Sequence, residues 1–392
     1  MFDIWKNLKE LVRVNYRHVR TTNLVFTLHT KVTVVILVGL SILVTSRQYL
    51  GDPIDCISSA DIKNIADKYC WIHSTFTRGR LDDDGKWGYE AVEESDVSPG
   101  IRPAVDGDDP RIYHTYYQWV WAVLFMQGGF FYIPYWIWKF CDRGRIKMLV
   151  ADLNLRVLSD EEKVSKEKAA ILRYFAPNRG HHTLYSFQYI GCEVLNFLNV
   201  IWQMYWTNVF LNYEFSNYGL NLFNLTQKRP YSRHDELARV FPVVTACRLS
   251  TGGPAFNSVE YDLLCILPIN ILNEKIYIFL WFWFLLLGLL SGINLIYRLI
   301  TVCIPPLRAR LLLRHVRMRK GYDLDDLKMS YGDFFLLYKL GENLNPIVFS
   351  ELLQELVHHG TDDDEKKSLT KASILRKDSD PKQSINSIIE RL

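Results

Sequence analysis

The chain has 392 residues, a formal net charge of +3, 49% hydrophobic and 14% aromatic residues, and seven cysteines. So small a charge, with Lys and Arg gathered in no single stripe, argues against a nucleic-acid partner, and the lack of a Cys-x-x-Cys pair argues against a thiol oxidoreductase. Overall composition does not separate a large soluble protein from a membrane protein diluted by polar loops, so local runs must decide.

Within the N-terminal segment 1–22, Phe2, Trp5 and Val12 fall at helical spacing among Lys6, Lys9, Glu10 and Arg13, an amphipathic pattern too short and too charged to span. No basic stretch, short apolar core and small-residue cleavage site follow one another there, so the first span is expected to target the chain. That span, 23–50, holds only 15 uncharged residues between Lys31 and Arg47. It reaches the roughly 20 residues a bilayer requires if both cations snorkel, because a charge at the bilayer centre costs about 2.5–3.5 kcal/mol. The loop 51–114 carries 14 Asp and Glu against 7 Lys and Arg and faces solvent. In it, Asp52, Pro53 and Asp55 read as a helix N-terminus. The second span, 115–139, lies in a stretch without fixed charge from Ile112 to Trp138, and Tyr and Trp crowd its ends as an interfacial belt. Pro134 removes one intrahelical donor, so a kink is expected there.

The loop 140–182 is basic, and a helix is predicted between Asp160 and Ala176. Glu193 is the sole charge of the third span, 183–213; Asn196, Asn199 and Gln203 extend it into a polar stripe that should face other helices or water. A second polar loop, 214–275, leads to the fourth span, 276–298, which is uncharged up to Arg298. The segment 299–360 opens with Arg308, Arg310, Arg314 and further cations, then predicts helices starting near Asp333 and after Asn345-Pro346. Residues 361–392 have little to bury and read as a disordered tail.

Lys and Arg concentrate before the first span, after the second and after the fourth. The positive-inside rule then puts both termini and 140–182 in the cytoplasm, and 51–114 and 214–275 outside the cell. Cys56 and Cys70 fall in the first outside loop and Cys247 and Cys265 in the second, an even number in the oxidising compartment. Four cysteines permit three pairings, and spacing selects none of them.

The string Tyr116-Tyr117-Gln118-Trp119-Val120 opens the second of four spans; with Tyr49 to Cys56, Glu274 to Phe284 and two cysteines per loop it resembles the innexins, the invertebrate gap-junction proteins, and most closely their insect members. The likeness covers residues 1 to about 358. It implies an all-α membrane protein, a four-transmembrane-helix bundle with disulfide-tied extracellular loops and a helical cytoplasmic dome. Such subunits assemble as a ring around a pore, expected to be an octamer of this chain alone or with other innexins. The ring docks to the hemichannel of a neighbouring cell at a plasma-membrane gap junction and passes ions and small molecules, with no cofactor and no enzymatic activity. Carried over by residue, the resemblance pairs Cys56 with Cys265 and Cys70 with Cys247. It places Met1, Phe2 and Asp3 at the pore mouth and Gln48, Asp52 and Asp55 along the outer pore, where a ring of acids would favour cations. A helix cap is the competing reading of Asp52.

Two other functions are open to the residues. Asn224-Leu225-Thr226 is a glycosylation sequon whose glycan would obstruct docking, which suits a pannexin-like, non-junctional hemichannel releasing small metabolites. The stripe of Glu193, Asn196, Asn199 and Gln203 would suit a transporter or membrane enzyme, but no second intramembrane carboxylate or His cluster accompanies it, and interhelical hydrogen bonding is the stronger account. His181-His182 and His358-His359 lack metal-ligand spacing and read as solvated, with pH sensing open to them. Ser368, Ser373 and Ser379 are phosphorylation candidates, and Cys141 and Cys303 are palmitoylation candidates.

Overall fold

A computed structural model describes residues 19–58, 62–78, 80–81, 87–88, 111–150, 161–175, 177–225, 240–252, 258–316 and 329–356. The expectations for Met1, Phe2, Asp3, the first amphipathic helix, His358-His359 and the tail lie outside these residues. The helices, in order, are α1 (Leu24–Leu50), α2 (Lys63–His73), α3 (Val120–Asp142), α4 (Arg145–Val150), α5 (Glu161–Phe175), α6 (Thr183–Phe210), α7 (Phe215–Leu225), α8 (Pro268–Cys303), α9 (Pro305–Leu313), α10 (Tyr331–Asn343) and α11 (346–356). The strands are β1 (Asp55–Ile57), β2 (Thr75–Arg78), β3 (Arg80–Leu81), β4 (Trp87–Gly88), β5 (Arg111–His114), β6 (Val244–Gly252) and β7 (Ser258–Ile266). Two compact units emerge: Leu24–Trp136 with Glu193–Leu295, and Met1–Asn23 with Ile137–Cys192 and Ile296–Leu392.

In the first unit, α1, α3 and α8 are long and apolar enough to cross a membrane. At 28 residues α6 is also long enough, about 42 Å at 1.5 Å per residue, but its polar stripe lowers its hydropathy. Buried polar groups fasten these helices together where lipid would offer no partner. Trp283 Nε1 donates to Thr33 Oγ1 at 3.0 Å, Ser41 Oγ to the Trp121 carbonyl at 2.8 Å, and Gln127 Nε2 to Thr207 Oγ1 at 2.8 Å. Glu193, Asn196 and Gln203 are buried, and Gln203 donates to Asn199 Oδ1 at 3.3 Å. Pro134 is buried inside a helix that continues through it. α8 reaches past the expected 276–298 at both ends, to Cys303 and back to Pro268; at its start, Pro268 in the first position is preset for helical φ and needs no backbone donor there.

The all-α expectation is corrected by a five-stranded antiparallel sheet of order β1-β7-β6-β2-β5. Asp52, Pro53 and Asp55 do not begin a helix either. Asp55 to Ile57 form β1, paired with Ile266 to Leu264 of β7, and the nearest helix starts at Lys63. Strand pairing over a long sequence separation has overridden a capping signal that reads only neighbours.

The second unit is helical and is built around α10, of which Tyr331 to Leu337, Lys339 and Leu340 are all buried. Ser330 caps it by accepting from the Asp333 amide at 3.2 Å. Lys168 of α5 reaches Glu351 of α11 at 2.6 Å. The Arg20 amide and carbonyl exchange hydrogen bonds with the Asn343 side chain at 2.6 and 2.9 Å. His182 is not solvated: it is buried, stacks on Phe175, and its Nδ1 meets Asp333 Oδ1 at 2.8 Å.

Candidate functional site in the two cysteine-bearing loops

The hairpin β6–β7 runs in register from Val244 opposite Ile266 to Gly252 opposite Ser258. On β6, Thr245, Cys247 and Leu249 are buried, the period-two face of a strand. This hairpin from the second loop inserts between strands of the first. β1 pairs with β7, and β2 pairs with β6 through Phe76 and Ala246 while its other edge takes β5. Neither loop can complete the sheet without the other.

The disulfides reinforce that interleaving. Cys56 is bonded to Cys265, its register partner across β1 and β7, and Cys70 of α2 is bonded to Cys247 of β6. The three sulfurs of Cys56, Cys70 and Cys265 lie within 4.8 Å of one another, so both bonds share one buried knot. Asp67 of α2 accepts from the Cys56 amide at 2.7 Å, which ties the helix to the edge strand directly. Lys63 pairs with Asp55 at 3.0 Å, and that carboxylate raises the Lys63 pKa. Arg248 bridges Glu260 at 3.2 Å and Asp262 at 3.0 Å on the exposed side of the hairpin. His114 of β5 is buried against Thr77 Oγ1 at 2.8 Å; burial pushes its pKa down to about 4, so it is neutral at physiological pH.

The Tyr116 to Val120 string anchors this platform. Tyr116 to Gln118 form one turn of 3₁₀ helix before α3. Tyr117 is fully buried with its ring 5.0 Å from that of Trp71, and Gln118 Nε2 donates to the Trp71 carbonyl near the end of α2. Tyr116 packs edge-on against Phe241 at 5.6 Å, and its hydroxyl accepts from Asn270 of α8 at 3.1 Å. Asn270 also donates to the Pro242 carbonyl at 2.8 Å. Val120 is buried, and Trp119 is 61% exposed. The string therefore grips both loops at once. Sequence reasoning missed Trp71, Asp67 and Asn270; only the Ala66 to Cys70 helical spacing and the alternation in β6 hinted at what they support.

Of the expected pore-lining residues, Gln48 is half-buried and donates to the Gln118 carbonyl at 3.5 Å, whereas Asp52 and Asp55 are exposed. Asn224 lies in the last turn of α7, and Thr226 of its sequon is outside the described residues. Cys141, Cys192 and Cys303 are not disulfide-bonded.

Membrane-length apolar helices carrying two loops cross-linked into one sheet define a helical membrane protein with a disulfide-braced platform. A family profile described as Innexin matches residues 22–360. The chain is 45% identical over 359 residues to Innexin inx2 of Drosophila melanogaster, covering 91% of this chain and 95% of that protein. It is 44% identical to Innexin inx2 of Schistocerca americana, over 91% of this chain and 97% of that one. Against Innexin shaking-B of Drosophila melanogaster the figures are 38%, 91% and 95%. The chain belongs to the innexin family.

Proposed function

We propose that this chain is a gap-junction channel subunit. α1, α3, α6 and α8 are its four spans, with both termini in the cytoplasm and the sheet outside the cell. Subunits form a ring, octameric by family resemblance, and rings of adjacent cells dock through their sheets to pass ions and small molecules. The observation that carries this reading is the interleaved sheet in a chain of the innexin family. Docking two rings requires a rigid face, and strands from both loops joined by Cys56–Cys265 and Cys70–Cys247 supply one. Met1, Phe2 and Asp3 constrict the pore in this reading, and Asp52 and Asp55 line its outer part, their number multiplied by the ring so that cations are favoured. Gln48 braces the lining against the start of α3.

Paired cells expressing the chain test this directly. Dye transfer and junctional current are expected in both directions, and surface-expressed protein that gives neither junctional nor hemichannel current would refute it.

A further inference from the structure

The ten residues from Lys139 to Met148 carry a pattern that the channel reading does not use. α3 ends at Asp142, and Arg143 and Gly144 both take left-handed backbone, with φ of 47° and 73°. Glycine adopts this region freely, whereas a residue with a Cβ holds it under strain. The chain nonetheless keeps an arginine there. Lys139, Arg143 and Lys147 recur every fourth residue and are all exposed, and among the described residues none lies within ion-pair distance of a carboxylate. The carboxylate nearest in sequence is turned away, since Asp142 is buried and accepts from the Tyr185 hydroxyl at 2.6 Å. Arg145 is likewise occupied, 4.9 Å over the Tyr185 ring.

Beside the three cations, none of which is paired with a carboxylate, stand Phe140, 67% exposed with the Arg143 guanidinium 5.8 Å over its ring, and Met148, 74% exposed. Unlike Arg145, whose partner Tyr185 is buried, Arg143 rests on a ring that is itself at the surface. Ile146 and Val150 of α4 are buried, so that short helix turns Lys147 and Met148 outward together. Setting membrane orientation requires cations near the end of a span, but neither an arginine in strained backbone nor uncovered Phe and Met. A soluble polyanion would match the cations and leave the apolar groups in water. An anionic phospholipid matches both, with its phosphate among the cations and its acyl chains against the apolar pair.

We propose that Lys139, Arg143 and Lys147, with Phe140 and Met148, form a binding site for the headgroup of an anionic phospholipid. The site rests on the reading that α3 crosses the membrane and ends at its surface.

The test measures thermal melting of the full chain, purified in neutral detergent, during titration with phosphatidylserine, phosphatidylcholine or inorganic phosphate. Phosphatidylserine is expected to raise the melting temperature, because a ligand that binds the native state stabilises it; phosphatidylcholine and phosphate are not. At about one decade per 1.4 kcal/mol, and about 1 kcal/mol for each cation at a membrane surface, the triple variant Lys139→Gln/Arg143→Gln/Lys147→Gln should need about 100-fold more phosphatidylserine for half the shift. Arg143→Gly should need about fivefold more while melting higher without lipid, since the strain is relieved. That variant decides the matter if the triple variant does not fold. The double variant Arg310→Gln/Arg314→Gln should behave as wild type. Equal shifts from phosphatidylcholine, a shift from phosphate alone, wild-type titration of the triple variant or, where that variant does not fold, wild-type titration of Arg143→Gly would each overturn the site. Loss of coupling with the phosphatidylserine shift intact would instead count against the channel reading alone.

Discussion

Asp333 concentrates the chemistry of the helical unit in one side chain. Its carboxylate accepts from the Gly180 amide at 2.8 Å and the Ser330 hydroxyl at 2.9 Å, and it meets His182 at 2.8 Å. Burial alone would raise its pKa, but the hydrogen bonds from His182, Ser330 and Gly180 outweigh that and hold it below the ordinary carboxylate value. A depressed folded pKa means the charge contributes stability that is fully present above about pH 4 and is lost as pH falls through the folded value. Asp333→Ala is therefore expected to melt below wild type at neutral pH, at about 1–3 kcal/mol per orphaned donor. The gap should narrow below about pH 4, as melting curves across pH will read. Next to it, a Cβ on Gly332 would lie 2.3 Å from the His182 carbonyl carbon and the Thr183 nitrogen, backbone atoms that cannot rotate aside. Gly332→Ala should leave this unit open to limited proteolysis. Gln118→Leu, which strands the Trp71 carbonyl, is expected to cost about 1–3 kcal/mol. The string around Gln118 was legible as a signature, but its role was not: Tyr and Trp at a span end look the same whether they meet headgroups or, like Tyr117, a tryptophan from a distant helix.

At the scale of elements, the long apolar helices could be read in the sequence because burial in lipid demands a continuous run, and α5 and α10 could be read from helical periodicity. The sheet was harder. β1, β2 and β5 have 3, 4 and 4 residues, too short for alternation to rise above chance, and each becomes a strand only because another loop supplies its partner. The β6–β7 hairpin did carry a signal, the alternation of Thr245, Cys247 and Leu249 ahead of the string Gly252-Gly253-Pro254. Replacing Cys70 and Cys247 together by serine removes the bond between α2 and β6, an expected loss of about 2–5 kcal/mol, with junctional current abolished in paired cells. By contrast, Gln127→Leu breaks one bond between α3 and α6 and should cost only about 0.6 kcal/mol, the usual worth of such a contact inside a bundle.

At the scale of the whole molecule, charge patterning predicts which segments share a side of the membrane, and an impermeant thiol reagent applied to intact cells checks it. A cysteine introduced at Ser250, exposed on β6, should label, and one introduced at Arg314 should not. The interleaved strand order has a consequence in time. Cys56 and Cys265 stand 209 residues apart, and at about 5–20 residues per second a ribosome needs about 10–40 s to travel between them. Throughout that interval the first loop is delivered with bare strand edges and reduced sulfurs, a nascent half-sheet dependent on chaperones and exposed to mispairing. Messages truncated between the codons for Gly219 and Val244 should thus yield a product that quality control retains and degrades, however sound α1, α3 and α6.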